Sequence, residues 1–446
     1  MSLFRYALIF VAGALCTACS SHTDVAATTP MGPSDPFSIP IPVQIINENG
    51  DYQLYRGGKP FFIKGAGGTS HLVALAEAGG NAFRTWSTDD AKNLLDKAHR
   101  NDLAVMLGIS IGHERHGFDY SDRQAVQEQF ERVKDEVLKF KDHPALLAWG
   151  IGNEVDLFYT NHEVWEAVEQ IASFIQTVDK NHPVTTVTAG IDKEKLTLIQ
   201  QRVPSLDFLS VNIYGGISSL PQNLLDMGYT GPFVITEWGP TGHWQVRKTR
   251  WEAPIEQTST EKAASYQKRY RQGIVNAKGK ALGSFAFLWG QKQETTPTWY
   301  GVFTESGHAT EAVDVLTYNW TGKWPIQRAP SIDFITLEGQ SRFDNVTVRA
   351  ESDLNAEVGL TSADDKTPAI QWEVLPESTD IKAGGDPESR PQAVQGLNIS
   401  SDGLGKVTFN APAKPGAYRL YVYVTNANGK AAYANIPFWV TAPGKD

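Results

Sequence analysis

The 446-residue chain predicts a (β/α)8 TIM barrel followed by a small immunoglobulin-like β-sandwich. Three observations support that fold. Strand and helix signals alternate eight times between residues 43 and 326, the order and span of a barrel. No glycine-rich loop follows the first strand signal, which argues against an open doubly wound sheet. From 327 to 446 the helix signals stop, and short strands between turns replace them.

Taken in order, Ile45 to Tyr55 turns at Asn49-Gly50, a hairpin signal, and leads into the apolar strand Pro60 to Gly65. Ala82 to Trp86 is the second strand, and Ser87 to Arg100 opens on cap-forming residues as a helix. Leu103 to Ile109 is the third strand. Val126, Phe130, Val133, Val137 and Phe140 share one helical face, and Pro144 stops that helix. Leu146 to Ile151 is the fourth strand. Thr160 and Glu163 have the spacing of a capping box, with Val164, Val168, Ile171, Ile175 and Val178 on one face behind it. Val184 to Thr188 and Phe208 to Ile213 are strands, followed by helices at Lys193 to Gln201 and Leu220 to Met227. Phe233 to Thr236 is the seventh strand. Thr258 and Glu261 make a second capping box, opening a helix that reaches Lys278. Phe285 to Leu288 is the eighth strand and Glu311 to Tyr318 the last helix. Beyond Pro325, strands are expected around Ile335, Val346, Trp372, Val407, Tyr418 and Ile436, with a hairpin at Asn428-Gly429. No cluster of exposed aromatics declares a binding face on the sandwich, so its expected role is structural, packed under the barrel.

A net charge of −10 leaves no basic patch for nucleic acid. Twelve Trp and fifteen Tyr supply flat apolar faces for core packing and for sugar rings. Residues 1–18 read as a secretory leader: Arg5, an apolar run from Tyr6 to Leu15, then Cys16-Thr17-Ala18-Cys19-Ser20. The run is short for a membrane span. Cys16 and Cys19 are the chain's two cysteines, so the domains behind them hold no disulfide. The Cys19 setting resembles a bacterial lipobox, which implies a lipidated Cys19 and a membrane anchor. Ser20 resembles an outer-membrane address; simple secretion is the alternative. Residues 19–42, rich in Ser, Thr, Ala and Pro, read as a tether.

The chemistry sits in two acids. Glu154 closes Ala148-Trp149-Gly150-Ile151-Gly152-Asn153-Glu154, and Glu237 lies in Phe233-Val234-Ile235-Thr236-Glu237-Trp238-Gly239. Each ends an apolar strand, where an idle carboxylate would be costly. Strands four and seven face each other across a barrel mouth, where catalytic residues gather. Two opposed carboxyl groups suit glycoside hydrolysis. Burial beside Trp149 and the charge of Glu237 would keep Glu154 protonated as an acid, while Arg84 would keep Glu237 ionised.

These blocks resemble glycoside hydrolase clan A, retaining barrels with the acid/base on strand four and the nucleophile on strand seven. The resemblance covers residues 43–325, and in overall look it is nearest to family 2-type barrels and to bacterial β-glucanases with a trailing sandwich. It implies Glu154 as acid/base, Glu237 as nucleophile, Asn153 on the sugar 2-hydroxyl, Arg84 and Tyr214 against the nucleophile, and Trp289 as an aromatic platform. It also implies a β-linked glycan substrate, with an endo-acting attack on β-1,3-glucan as the leading expectation. A transglycosylase using the same residues, or an inactive carbohydrate-binding lipoprotein, are the alternatives. No cofactor and no metal are expected; His113 and His116 have ligand chemistry, but His113 reads better as a substrate contact. Trp86, Trp238, His243, Trp244 and Trp299 are further candidates for sugar subsites, and residues 239–256 form a long loop expected to shape the cleft.

Overall fold

The computed structural model describes residues 39–362 and 368–442. The expected leader at 1–18, Cys19 and the expected tether as far as residue 38 lie outside the described residues.

Eight strands close into a barrel: β1 (Ile63–Gly67), β2 (Ala82–Arg84), β3 (Ala104–Ile109), β4 (Leu146–Asn153), β5 (Val184–Ala189), β6 (Leu209–Asn212), β7 (Phe233–Trp238) and β8 (Ala281–Ala286). Each is parallel to both neighbours. A helix follows each strand: α1 (Leu72–Glu77), α2 (Ala91–Arg100), α3 (Arg123–Phe140), α4 (Val164–Val178), α5 (Lys193–Arg202), α6 (Leu220–Asp226), α7 (Ser259–Arg269) and α8 (Glu311–Thr321). Alternating side chains divide the core in two. Phe83, Val105, Trp149, Val211, Ile235 and Trp238 pack outward under the helices. Ile63, Met106, Val234 and Phe285 fill the barrel's lower interior. A three-stranded sheet of Val43–Glu48, Asp51–Arg56 and Lys59–Pro60 closes that lower end with Val43 and Leu54. Its first turn uses Asn49 at φ 57° and Gly50 at φ 95°, the paired left-handed residues of a tight hairpin.

Several element boundaries differ from expectation for physical reasons. The Thr160/Glu163 capping box does not form. Helix α4 starts at Val164 with no side-chain cap. The carboxylate of Glu114, from the loop after β3, instead accepts from the backbone N–H of Thr160 (2.7 Å) and Asn161 (2.9 Å) and from the Thr160 hydroxyl. A tertiary acceptor has taken the local donor. The Thr258/Glu261 box does form, with both reciprocal bonds present. That helix is regular only to Arg269, then widens into a π turn at Tyr270–Ile274. The eighth strand runs from Ala281 to Ala286, earlier than expected, because its first residues are small and carry little strand signal.

The remaining strands β9 (Ser331–Leu337), β10 (Asp353–Ser362), β11 (Ala369–Pro376), β12 (Lys406–Asn410), β13 (Gly416–Thr425) and β14 (Lys430–Thr441) form two sheets. One is built on β9, β10 and β12, the other on β14, β13 and β11. Ile335, Leu337, Leu354 and Val358 of the first share one core with Val374, Leu420, Val422 and Phe438 of the second, which makes a sandwich.

The sandwich is tied to the barrel by buried ions. Lys262 of α7 pairs with Glu256 and donates to the hydroxyl of Tyr433 (3.2 Å) and the carbonyl of Thr298 (2.7 Å). Arg419, with no exposed surface, reaches Glu377 (3.0 Å), Asn435 (2.8 Å) and the carbonyl of Pro254 (2.8 Å). The expectation that the sandwich packs beneath the barrel is corrected at this point. The segment 377–399 returns to loops at the C-terminal ends of the barrel strands. Asp386 accepts from Arg115 (2.8 Å) and pairs with His116 (2.8 Å), after β3. Lys292 donates to the carbonyl of Gly385 (2.5 Å) and the Thr295 N–H to Glu388 (2.6 Å), after β8.

Candidate active site

Backbone irregularities bring the two acids into the mouth. In β4 the register slips against β5 between Ile151 and Asn153. Gly152 stands there at φ 68°, where a Cβ would come within 2.7 Å of Val155, so the kink requires glycine. Glu154 follows, itself left-handed at φ 53°, a conformation that costs a residue with a Cβ about 1–2 kcal/mol. In β7 the register slips against β6 between Ile235 and Glu237. Such bulges re-aim side chains next to sites. Thr236 and Glu237 are both turned toward the mouth, while Ile235 and Trp238 stay in the outer core.

Glu237 is buried and held by three donors. Arg84 Nη1 (3.3 Å) and Trp86 Nε1 (2.9 Å) reach its Oε1, and the Tyr214 hydroxyl reaches its Oε2 (2.9 Å). Burial, then the charge of Glu237, hold the Tyr214 phenol well above its ordinary range, so it stays a donor. Arg84 also gives Nη1 to the Thr236 carbonyl (3.0 Å) and Asn212 Oδ1 (3.2 Å), and Nη2 to Asn153 Oδ1 (2.9 Å). Glu154 has a different setting. Its Oε1 accepts an amide N–H from Asn212 (2.9 Å). Loss of solvent, then the negative charge of Glu237, push its carboxyl up to about 7. One acid is clamped by a cation and two donors, and the other is kept half-protonated at neutral pH.

Asn212, at the end of β6, joins the two. It accepts from Arg84 and from Thr236 Oγ1 (2.8 Å), and donates to Glu154 and to Asn153 Oδ1 (3.1 Å). Sequence reading missed it, although a polar residue closing an apolar strand is the same signal that flagged Glu154. Phe287 was also missed. Its ring meets Trp86 (6.0 Å), Tyr214 (6.1 Å) and Tyr300 (5.5 Å) edge-on.

The structure brings Glu154, Glu237, Arg84, Asn153, Tyr214 and Trp86 together, with the Trp86 indole N–H on the carboxylate. His113 stands one step back, donating from Nε2 to the backbone carbonyl of Asn153 (2.7 Å); it braces the strand end. Three tryptophans are corrected. Trp238 is fully buried against Tyr266 and Tyr270, because the residue after an inward Glu237 points outward. Trp289 is 1% exposed, packed on Phe303 and Trp320, with its N–H on the His71 carbonyl. Since β8 ends earlier than expected, Phe287 takes the pocket side and Trp289 turns into the core. Trp299 is buried with its N–H on the Thr241 carbonyl. Trp149, too, faces the helices, where it donates to Asp179 (2.8 Å), and takes no part in raising Glu154.

Residues 75–254 match the family profile described as glycosyl hydrolases family 2, TIM barrel domain. In that stretch the barrel is similar to the family 2 type. The matched stretch holds Arg84, Asn153, Glu154, Tyr214 and Glu237. Among curated proteins, this chain is 24% identical over 217 residues to a beta-glucuronidase of Sus scrofa, covering 44% of this chain and 31% of that protein. It is 23% identical over 191 residues to a beta-glucuronidase of Chlorocebus aethiops, covering 38% and 28%. The chain thus spans less than a third of the curated relatives it matches. Among solved structures, a beta-glucuronidase of Ruminococcus gnavus superimposes with a TM-score of 0.50 at 18% identity, covering 64% of this chain and 53% of that one. That likeness concerns the fold.

Proposed function

We propose that the family 2-type barrel of this chain is a retaining β-glycoside hydrolase acting by double displacement, with Glu237 as nucleophile and Glu154 as acid/base. The observation that carries the reading is the unequal treatment of the two acids: Arg84, Trp86 and Tyr214 converge on Glu237, while burial and the charge of Glu237 raise Glu154 to about 7. In the first step a Glu237 oxygen attacks the anomeric carbon. The bond to the leaving oxygen breaks, and that oxygen takes the proton of Glu154. The product is a glycosyl ester on Glu237. Ester formation removes the charge that helped to raise Glu154, so its pKa falls and it becomes a better base. Glu154 then takes a proton from water, the water oxygen attacks the same carbon, and the ester bond breaks to restore Glu237. Two displacements return the original anomeric configuration.

The substrate is a β-linked oligosaccharide or polysaccharide. β-1,3-Glucan is the expectation from the sequence resemblance, and β-glucuronides are the second class because the curated relatives carry that name. Purified protein is to be assayed on neutral β-linked oligosaccharides and on β-glucuronides, with NMR of the first-formed anomer. A β-anomer released first is expected. First release of the α-anomer, or no turnover of any β-linked substrate, would overturn the mechanism. Added acceptor sugars separate hydrolysis from transglycosylation. The lipid anchor at Cys19 and an outer-membrane location belong to the same proposal; Cys19→Ser is expected to move the protein from the membrane fraction to the soluble one.

A further inference from the structure

We infer that the cavity between the loop after β7 and the segment 377–399 of the sandwich is a binding site for a neutral sugar ring next to the one that reacts. The inference rests on the glycosidase reading and adds a subsite built jointly by the two parts of the chain. The cavity has a volume of about 420 Å³, within the roughly 300–1,000 Å³ of small-ligand sites. Its barrel side carries Trp244 and Trp251, and its sandwich side carries Glu377, Ser378 and Ile381.

Continuity with the catalytic carboxylates is direct. Tyr214 donates to Glu237 and holds Trp244 edge-on at 5.7 Å on its other side. Trp244 is 56% exposed, a large flat apolar face left open one side chain away from the nucleophile. That face suits the C–H surface of a pyranose. The charges around the cavity are already matched within the protein. Glu377 pairs with Arg419 (3.0 Å) and Lys248 with Glu252 (3.3 Å). His243 is pulled down to about 4 by burial, then by Lys248, and is neutral at pH 7. A wall of paired charges and one neutral imidazole favours an uncharged ring over a uronate.

The sandwich side is fixed in place. Asp386 is held by Arg115 and His116, Gly385 by Lys292, and Glu388 by Thr295. The two ends of segment 377–390 are anchored as well, by Arg419 on Glu377 and by the Arg390–Glu373 pair (2.7 Å). The wall is therefore present before any ligand arrives, and ordering it costs little on binding.

The test compares a neutral β-linked disaccharide with the glycosyl fluoride of the same sugar, whose leaving group fills no ring site. In Trp244→Ala, the ratio of kcat/KM for the disaccharide to that for the fluoride is expected to fall about tenfold, carried by KM. Ser378→Trp fills the cavity from the sandwich side, away from Tyr214, and is expected to lower the same ratio. A loss shared by both substrates cancels in the ratio, so partial unfolding or a disturbed Tyr214 does not imitate the effect. A ratio within about twofold of wild type in either variant overturns the subsite. Wild-type protein that turns over β-glucuronides but neither of these neutral substrates also overturns the neutral-ring subsite, and wild-type protein that turns over no β-linked substrate overturns the glycosidase reading beneath it.

Discussion

Glu154→Gln is expected to stabilise the protein, and only above the pH at which the free carboxyl would ionise. Glu154 rises from an ordinary 4.5 to about 7 in the folded chain. Between those values the folded state holds a proton that the unfolded state has lost, so stability declines as pH rises through that window. Above it both states are ionised and the whole cost is present. At 1.36 kcal/mol per pH unit the gap amounts to at most about 3 kcal/mol. The coupling to Glu237 and the partial exposure of Glu154 reduce this, leaving about 1–3 kcal/mol. Glutamine keeps an oxygen for the Asn212 amide and carries no charge, so it removes the cost without opening a hole. Thermal scans of wild type and variant at pH 4.5 and pH 8.5 give the answer as a difference of differences. The melting temperatures should agree at the lower pH, and the variant should melt a few degrees higher at the upper one. A difference that does not grow with pH would refute the claim that this site holds an acid against its ionisation.

Three other outcomes follow from the same geometry. Asn212→Ala removes the N–H that favours ionised Glu154, so the alkaline limb of kcat/KM should move upward, by about one pH unit for a charge-assisted bond of this kind; a limb that stays or falls would contradict the assignment. Glu154→Ala should slow substrates with poor leaving groups at least about a hundredfold more than activated aryl glycosides, because only the former need a proton, while Glu237→Ala should lose turnover on both and keep glycan binding, as read by steady-state rates and calorimetry. Phe287 and Trp289 are both buried, so Phe287→Ala and Trp289→Ala should each cost about 3–5 kcal/mol in denaturant unfolding, but only Phe287→Ala should also lower kcat/KM per folded molecule; the reverse pattern would restore Trp289 to the pocket.

Much of the fold and of the acid pair was legible because burial is written locally. An apolar run that ends in a carboxylate reports a strand reaching a polar mouth, and eight such runs separated by helical periods report a barrel. The directions of the aromatic side chains were not legible. Trp238 and Trp289 stand next to residues that face the pocket, and each is turned away by a backbone detail that leaves no mark in the sequence: the register slip at Thr236, and a strand β8 that ends at Ala286. Partners distant in the chain were equally hidden. Glu114 captured the donors at Thr160 and Asn161, and Asp386 reached the loop after β3 across some 270 residues.

The division of labour between the acids follows from where a single guanidinium is aimed. Arg84 enters from β2, fully buried, with the Trp86 ring 5.2 Å away. Its two terminal nitrogens go to different places: Nη1 to Glu237, and Nη2 to the side chain of Asn153. The cation therefore bonds the carboxylate on β7 directly, whereas Glu154 feels its charge only at longer range and takes its hydrogen bond from the neutral amide of Asn212. An amide supplies a hydrogen bond and no charge, so it cannot offset both lost solvation and a nearby anion. If a guanidinium nitrogen were aimed at Glu154 as well, the cation would favour its ionised form and it would be a poorer proton donor. Asn212 prevents this by filling the space between Arg84 and Glu154 with a group that is polar enough to be buried and too weak to ionise its neighbour.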